Sequence, residues 1–311
     1  MKCARNPQVF KNGQMMNPKK INLQIGDYEI FAIPTGLFGL DGGAMFGTVP
    51  KVLWQKTNPA DELNRIQMEA RGLLLKSKDR NILIDTGNGQ DFVAKYGEKL
   101  GSKFAEIYAV DQSGPSLIKS VEKCGLTVND ITDVILTHLH FDHAGGATTE
   151  RDGKLVPTFP KARYHVQKRN LAVAQTPNFR ERSSYYPANF QPLLDANVLT
   201  LVDGDQKNYL PFISLKISDG HTEAHQVVII EDENTALYYC GDVVPTSSHV
   251  RSAWVMGYDL RPMQLIEEKQ KLLTEGLQKN TYLFFEHDPY CDLATYEKNN
   301  QDFQVKEKFI L

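Results

Sequence analysis

Three of the eight histidines in this 311-residue chain fall in one six-residue run with a carboxylate, His138-Leu139-His140-Phe141-Asp142-His143. Imidazole nitrogen and carboxylate oxygen are ligands for Zn²⁺ and its neighbours, and a neutral histidine binds metal at working pH with little proton competition. On an extended backbone, side chains two apart face the same way, so His138 and His140 can grip one cation from one side. Asp142 and His143, in the turn that follows, then reach a second cation beside it. The run reads as half of a two-metal hydrolytic site, in which the cations supply both an activated water and a Lewis acid. A solvated cluster that binds nothing is the alternative, and chance seldom produces this spacing.

A ligand cluster needs elements that deliver it. Asp133-Val134-Ile135-Leu136-Thr137 has the length and β-branched content of a buried strand, which places the histidines where that strand ends, and Ala144-Gly145-Gly146 lets the chain turn tightly afterwards. Three other acids or histidines also follow apolar runs. Ile213–Ile217 leads through Ser218-Asp219-Gly220 to His221, with Gly220 expected to permit the turn. His221 completes the histidine set of the first metal. Leu237–Cys240 leads through Gly241 to Asp242, whose two oxygens can bridge both cations. Tyr282–Phe285 leads through Glu286 to His287, which joins Asp142 and His143 on the second metal. A single histidine after a strand more often serves packing, and only the company of the first cluster reverses that expectation. His225 is expected to orient neighbouring backbone, and His165 and His249 receive no role. Asp85, closing Ile82-Leu83-Ile84, is expected behind a ligand, because ligating imidazoles donate their other N–H to a carboxylate or carbonyl. A plain turn aspartate before glycine is its equal alternative.

The apolar fraction of 41% is ordinary for a folded domain, and the net charge of −3 without long runs of one sign gives no footprint for nucleic acid or an anionic membrane. No stretch has the length of a membrane span and Met1–Lys20 has no apolar leader core, so a cytoplasmic protein is expected. Cys3, Cys124, Cys240 and Cys291 form no CxxC pair and are expected as reduced thiols, Cys240 as a small buried hydrophobe. No linker interrupts the chain. One domain over residues 1–311 is expected, with residues 1–20 as an N-terminal extension. Strand-like runs lie at Ile21–Gln24, Tyr28–Ile33, Gly72–Lys76, Asn81–Ile84, Val134–Thr137, Arg163–Val166, Phe212–Ile217, Val227–Glu231, Leu237–Cys240 and Tyr282–Phe285. Helical runs lie at Gly89–Tyr96, Ser116–Cys124, part of Lys161–Ala174, and Met263–Gln278. The mixture fits an α/β sandwich of two sheets with helices outside, or a doubly wound sheet; periodicity does not choose between them.

Five motifs in order resemble those of the metallo-β-lactamase fold superfamily. They are Leu83-Ile84-Asp85-Thr86-Gly87, Thr137-His138 through Gly146, Asp219-Gly220-His221-Thr222, Cys240-Gly241-Asp242, and Glu286-His287-Asp288. The resemblance covers about residues 21–290 and implies a four-layer αββα sandwich with two metals at one edge. Within the superfamily, the Phe141–Gly146 run and the segment from Asp242 through Trp254 to Asp259 are similar to the branch holding quorum-quenching N-acyl-homoserine lactonases and methyl parathion hydrolase. Related lactonases commonly carry a tyrosine three residues after the bridging aspartate; Pro245 stands there in this chain. Glu223-Ala224 replaces the usual Pro-Gly and is expected to alter only a turn. The bridging Asp242 argues against a zinc β-lactamase.

The resemblance and the ligand set together imply a hydrolase with two divalent ions, Zn²⁺ first among them, in which a metal-bridging hydroxide opens a small-molecule lactone or ester. An N-acyl-homoserine lactonase is the leading reading, with Asp142 also handling a proton. An arylesterase or organophosphate triester hydrolase is the alternative, and a non-catalytic metal-binding module the remote one. Gly36–Trp54 and Val243–Tyr258 hold apolar residues that fit substrate walls, with Phe46 and Trp254 as the expected contacts, although core or a homodimer face fits as well.

Overall fold

The structure is a computed structural model that describes residues 10–11, 14–15, 17–111, 113–300 and 302–311. Cys3 and most of the N-terminal extension lie outside the described residues.

Seven strands build the first sheet: β1 (Leu23–Ile25), β2 (Tyr28–Asp41), β3 (Arg65–Lys76), β4 (Asn81–Ile84), β5 (Asp133–Ile135), β6 (Arg163–Gln167) and β7 (Leu199–Val202). They lie in the order β7-β6-β5-β4-β3-β2-β1. Pairing is antiparallel from β1 to β4 and parallel from β4 to β7. The second sheet runs β8 (Gln206–Leu210), β9 (Ile213–Ser218), β10 (His225–Glu231), β11 (Thr235–Tyr239), β12 (Asn280–Phe284), β13 (Leu293–Asn299) and β14 (Asp302–Ile310). Lys19–Lys20, from the end of the expected extension, adds an eighth strand beside Phe309–Ile310.

Period-2 alternation decides which side chains meet between the sheets. Ile82 and Ile84 of β4 pack inward with Leu73 and Leu75 of β3 against Val228, Ile230, Leu237 and Phe284 of the second sheet. The intervening Leu83 and Leu74 face outward to Leu117 and Val121 of the helix Leu117–Lys123. On the far side, Leu265, Leu272 and Leu273 of the helix Pro262–Gly276 cover Tyr238, Leu283 and Phe285. Each such fully buried aliphatic side chain contributes ~1.5–3 kcal/mol. The result is the four-layer αββα sandwich, so the doubly wound alternative does not apply. Among the described residues no helix is long and apolar enough to cross a membrane. Cys124, Cys240 and Cys291 are free thiols, and Cys240 is fully buried.

Parallel neighbours deliver their C-terminal ends to the same sheet edge. β4 and β5 are parallel, as are β11 and β12, and β9 shares the direction of β11 because both run antiparallel to β10. Five strand ends therefore converge: Asp85, the His138 run, His221, Asp242 and His287 all follow one of them.

Candidate metal centre

The strand before the histidine run ends at Ile135, two residues earlier than its composition suggests, and Phe141–Ala144 forms a helical turn. His138 and His140 project from the irregular connection, while Asp142 and His143 come from the turn. Gly241 has φ +49, and a side chain there would meet His225 Nε2 at 2.5 Å, so only glycine lets the chain reach Asp242. Gly220 serves differently from the expected turn. It has no positive φ, and its missing side chain makes room for the Leu265 backbone, whose Cα would lie 2.5 Å from a Cβ. Ala224 keeps the left-handed turn after His221, with φ +51.

These strand ends bring together all seven residues expected at the metals. His138, His140, His221 and Asp242 form one buried group, and Asp142, His143 and His287 form another. Asp242 spans the two. Its Oδ2 is 3.0 Å from His221 Nε2, 3.4 Å from His143 Nε2 and 3.8 Å from His138 Nε2, and its Oδ1 is 3.3 Å from His287 Nε2. Asp142 lies 3.8 Å from His143 Nε2 and 3.7 Å from His287 Nε2.

The donor set fits divalent cations. His221 Nε2 faces His140 Nδ1 at 3.3 Å, and His287 Nε2 faces His143 Nε2 at 3.3 Å. Two nitrogens 2.0–2.1 Å from a tetrahedral zinc stand about 3.4 Å apart. His138 Nε2 is buried without a hydrogen-bond partner, which is costly unless a cation takes its lone pair. Burial, followed by the neighbouring imidazoles of His143 and His140, holds the His138 pKa well below the usual histidine value, so that lone pair is free. Burial would also lower His221, but the carboxylates of Asp242 and Asp259 outweigh it and carry its pKa up to about 10. His287 rises likewise to about 9, against burial, through Asp242 and Glu286. Around Asp242, the imidazoles of His221 and His287 thus stand where positive charge is favoured.

Most of the imidazoles are held from behind. Asp85, in a left-handed conformation (φ +55) that aspartate tolerates, accepts from Thr137 N–H and Thr137 Oγ1 at 2.7 Å each and lies 3.0 Å from His143 Nδ1. The turn-aspartate alternative thus describes its backbone, while its side chain reaches a candidate ligand. His225 accepts the Asp242 N–H at 3.2 Å. Several partners are absent from the sequence reading. Asp259 Oδ1 is 2.8 Å from His221 Nδ1, Glu286 Oε2 is 2.8 Å from His143 Nδ1, the Glu69 carbonyl is 3.0 Å from His287 Nδ1, and Glu181 lies 3.9 Å from His140 Nε2. Glu286 sits beside the His287 motif and Asp259 closes the Asp242–Asp259 segment, so both had a positional signal; Glu181, on a separate loop, had none.

A cavity of about 290 Å³ opens over the centre, with His140, Asp142, His221, Asp242 and His287 exposed to it. Its walls correct the expected substrate contacts. Phe46 is fully buried, stacked on Trp54 and His249, and Trp254 packs edge-on against it; neither lines the cavity. Their one-position and two-position neighbours Met45 and Met256 do, with Leu40, Phe141, Tyr108 and Tyr258. Apolar content marked segments that line the cavity, but large aromatics are the residues that a core claims first.

Paired His/Asp groups at one edge of an αββα sandwich define the class of metal-dependent hydrolases. Residues 72–287 match the metallo-beta-lactamase superfamily, and the chain belongs to it. It is similar to the N-acyl homoserine lactonase of Bacillus cereus, 24% identical over 221 residues that make up 67% of this chain and 72% of that relative. It is also similar to N-acyl homoserine lactonase AttM of Azorhizobium caulinodans, 22% identical over 262 residues, 81% of this chain and 93% of that one. A solved probable metal-dependent hydrolase from Staphylococcus aureus has a TM-score of 0.80 and 31% identity, covering 93% of this chain and 100% of its own. AidC, a dizinc quorum-quenching lactonase solved with its product, has a TM-score of 0.73 at 20% identity, covering 94% and 98%, a likeness of fold.

Proposed function

We propose that this protein is a two-metal hydrolase that opens lactones, first among them N-acyl homoserine lactones. The observation that carries the reading is the pair of facing imidazole nitrogens on each side of Asp242, beneath a cavity with apolar walls. The curated lactonase relatives supply the substrate class. His138, His140, His221 and Asp242 would hold one cation, and Asp142, His143, His287 and Asp242 the other. When bound, two zinc ions supply Lewis acidity and bring the pKa of water to about 7. Asp242 fixes the separation of the two seats. Asp142 lines the cavity, and we read its carboxylate as the group that passes a proton to the departing ring oxygen. Leu40, Met45 and Met256 exclude water from the acyl side.

Aryl esters and phosphotriesters form the second reading, favoured by one feature. Pro245 provides no side-chain donor where related lactonases carry a phenol, and its carbonyl instead accepts the His287 N–H at 3.1 Å. Leaving groups that need no proton suit such a site. Proton release from N-acyl homoserine lactones, measured beside p-nitrophenyl esters and paraoxon on protein of known metal content, separates the two. Lactone turnover supports the first reading, and turnover of the aryl substrates alone replaces it with the second. Asp142→Asn is expected to weaken the second seat and, compared at equal zinc occupancy, to lower kcat on lactones by ~10²–10⁴-fold; full turnover of that variant would remove Asp142 from proton transfer.

A further inference from the structure

The helix Pro262–Gly276 buries a lysine on its core face. Lys269 stands one turn after Leu265 and one turn before Leu272 and Leu273, and all four are buried. Leu265 is the residue that packs against Gly220, one position before His221. Just ahead of the helix, the Leu260 N–H donates to the His221 carbonyl at 3.1 Å and the Arg261 N–H to the Gly220 carbonyl at 2.8 Å. One rigid element thus supports the His221 backbone at its start and carries an amine into the core one turn later.

The Lys269 Nζ donates to the carbonyls of His249, Arg251 and Trp254 at 3.1, 3.0 and 2.8 Å. Three acceptors require three N–H groups, which only the protonated amine has. Burial pulls its pKa down to about 7, against Asp259 and Asp302, which raise it. A charge so placed is costly, and the three carbonyls offset that cost. The turn they belong to reaches the site in two directions. His249 Nε2 lies 2.8 Å from the Met45 carbonyl, and Met45 lines the metal-side cavity. Beyond Trp254, Met256 lines the same cavity, and its N–H donates to Asp259 Oδ2 at 2.7 Å, while Asp259 Oδ1 is 2.8 Å from His221 Nδ1. Asp302 anchors the turn separately by accepting the Ser252 N–H at 2.8 Å. That bond holds one N–H of the turn, whereas Lys269 gathers the span from which both paths leave.

We infer that Lys269 is a positioning residue: by gathering the carbonyls of His249, Arg251 and Trp254, it sets the Met45 and Met256 walls of the cavity and the Asp259 carboxylate behind His221. The zinc and kinetic arms of its test rest on the two-metal hydrolase reading; the fluorescence arm does not. Lys269→Met keeps an apolar stem of similar length and removes all three donors. Arg251 and Ala253 are exposed, so the turn can move outward until water reaches its carbonyls. In a Trp54→Phe background, Trp254 is the one tryptophan of the chain. Acrylamide quenching of the metal-free protein at pH 6 is expected to rise by ~1.5-fold or more on Lys269→Met, as Trp254 leaves its packing. Unchanged quenching in the folded variant overturns the inference.

Competitive zinc titration in His287→Ala, which keeps the seat of His221, and in His221→Ala, which keeps the other, reads the path to His221. Adding Lys269→Met is expected to weaken the first seat by ~10-fold and to leave the second within about twofold. Equal weakening of both is what a generally loosened core would give, and it overturns the inference. With both seats saturated, KM for a lactone or a p-nitrophenyl ester is expected to rise by ~10-fold while kcat stays within about threefold, as for lost binding shared by ground and transition states. An unchanged KM overturns the inference. Lys269→Gln, with two N–H groups on a shorter arm, is expected to fall between the parent and Lys269→Met in all three readings, and it takes the place of the methionine variant if that chain does not fold. Raised quenching in a protein that hydrolyses no ester or lactone would sink the hydrolase reading and leave Lys269 as the residue that positions this wall.

Discussion

The two proposed cation seats share Asp242 and are built from different surroundings. In the seat of His138, His140 and His221, the nitrogens facing away meet the Thr137 hydroxyl at 3.0 Å, Glu181 at 3.9 Å and Asp259 at 2.8 Å. In the seat of Asp142, His143 and His287, a second carboxylate faces the centre and two more, Asp85 and Glu286, converge on His143 Nδ1 at 3.0 and 2.8 Å. Carboxylates behind an imidazole raise its basicity as a ligand, and negative charge near a cation is worth more in a buried site than in water. The second seat thus has more carboxyl groups around it and is the one that should hold its cation more firmly. Two seats of similar geometry are therefore expected to differ in affinity.

The largest effect belongs to the residue common to both. Asp242→Ala is expected to cost ~10³-fold or more in kcat/KM, since several kcal/mol of transition-state stabilisation go with the cations, and to leave fewer than two zinc ions per chain by elemental analysis. Full occupancy in that variant would mean the seats are independent of Asp242. Next come the paired variants His221→Ala and His287→Ala, each expected to retain close to one zinc. The ion kept by His221→Ala should be the tighter, with dissociation by chelator slower than from His287→Ala; the reverse order breaks the comparison.

Smaller changes lie behind the ligands. Glu286→Gln is expected to weaken the second seat by ~10–100-fold while Asp259→Asn weakens the first by a similar factor, read from competitive zinc titration of each protein. Both variants weakening one seat would show that these carboxylates do not act locally. The smallest effect is on stability. Stripped of metal, His221 and His287 keep pKa values of about 10 and 9, above the ~6.5 of an unfolded histidine. Their contribution is therefore fully present below pH 6.5 and lost as pH rises through 9 and 10. Tm of the stripped protein is expected to fall by ~5 °C or more across that window and the zinc-loaded protein to fall less. Equal declines would indicate that the two imidazoles do not titrate in the folded chain.

The ligand motifs were legible because each follows an apolar run that had to be a strand, and strand ends are where a sheet presents side chains to a common edge. Asn81–Ile84 was found with its bounds intact, as its four residues have no helical alternative. β13 and β14 escaped notice, because Leu293–Asn299 and Asp302–Ile310 mix charged residues among the apolar ones on a partly exposed part of the sheet. The helix Glu98–Ile107 was also missed, with a glycine in its middle depressing helix propensity. Around the site, ligands were readable from local spacing, whereas Asp259, Glu181 and Tyr108 are joined to it only by tertiary contacts between distant loops. The substrate walls failed for a related reason: Phe46 and Trp254 are apolar enough for a pocket, and the core took them first.

Stepwise loading of metal-free protein with zinc, while counting bound ions and following hydrolysis of an N-acyl homoserine lactone, tests the two-metal hydrolase most directly. Turnover should be small below one equivalent, as the seat with more carboxyl groups fills, rise between one and two, and level at two. Full turnover at one equivalent, or turnover indifferent to zinc and to its removal, would contradict the account.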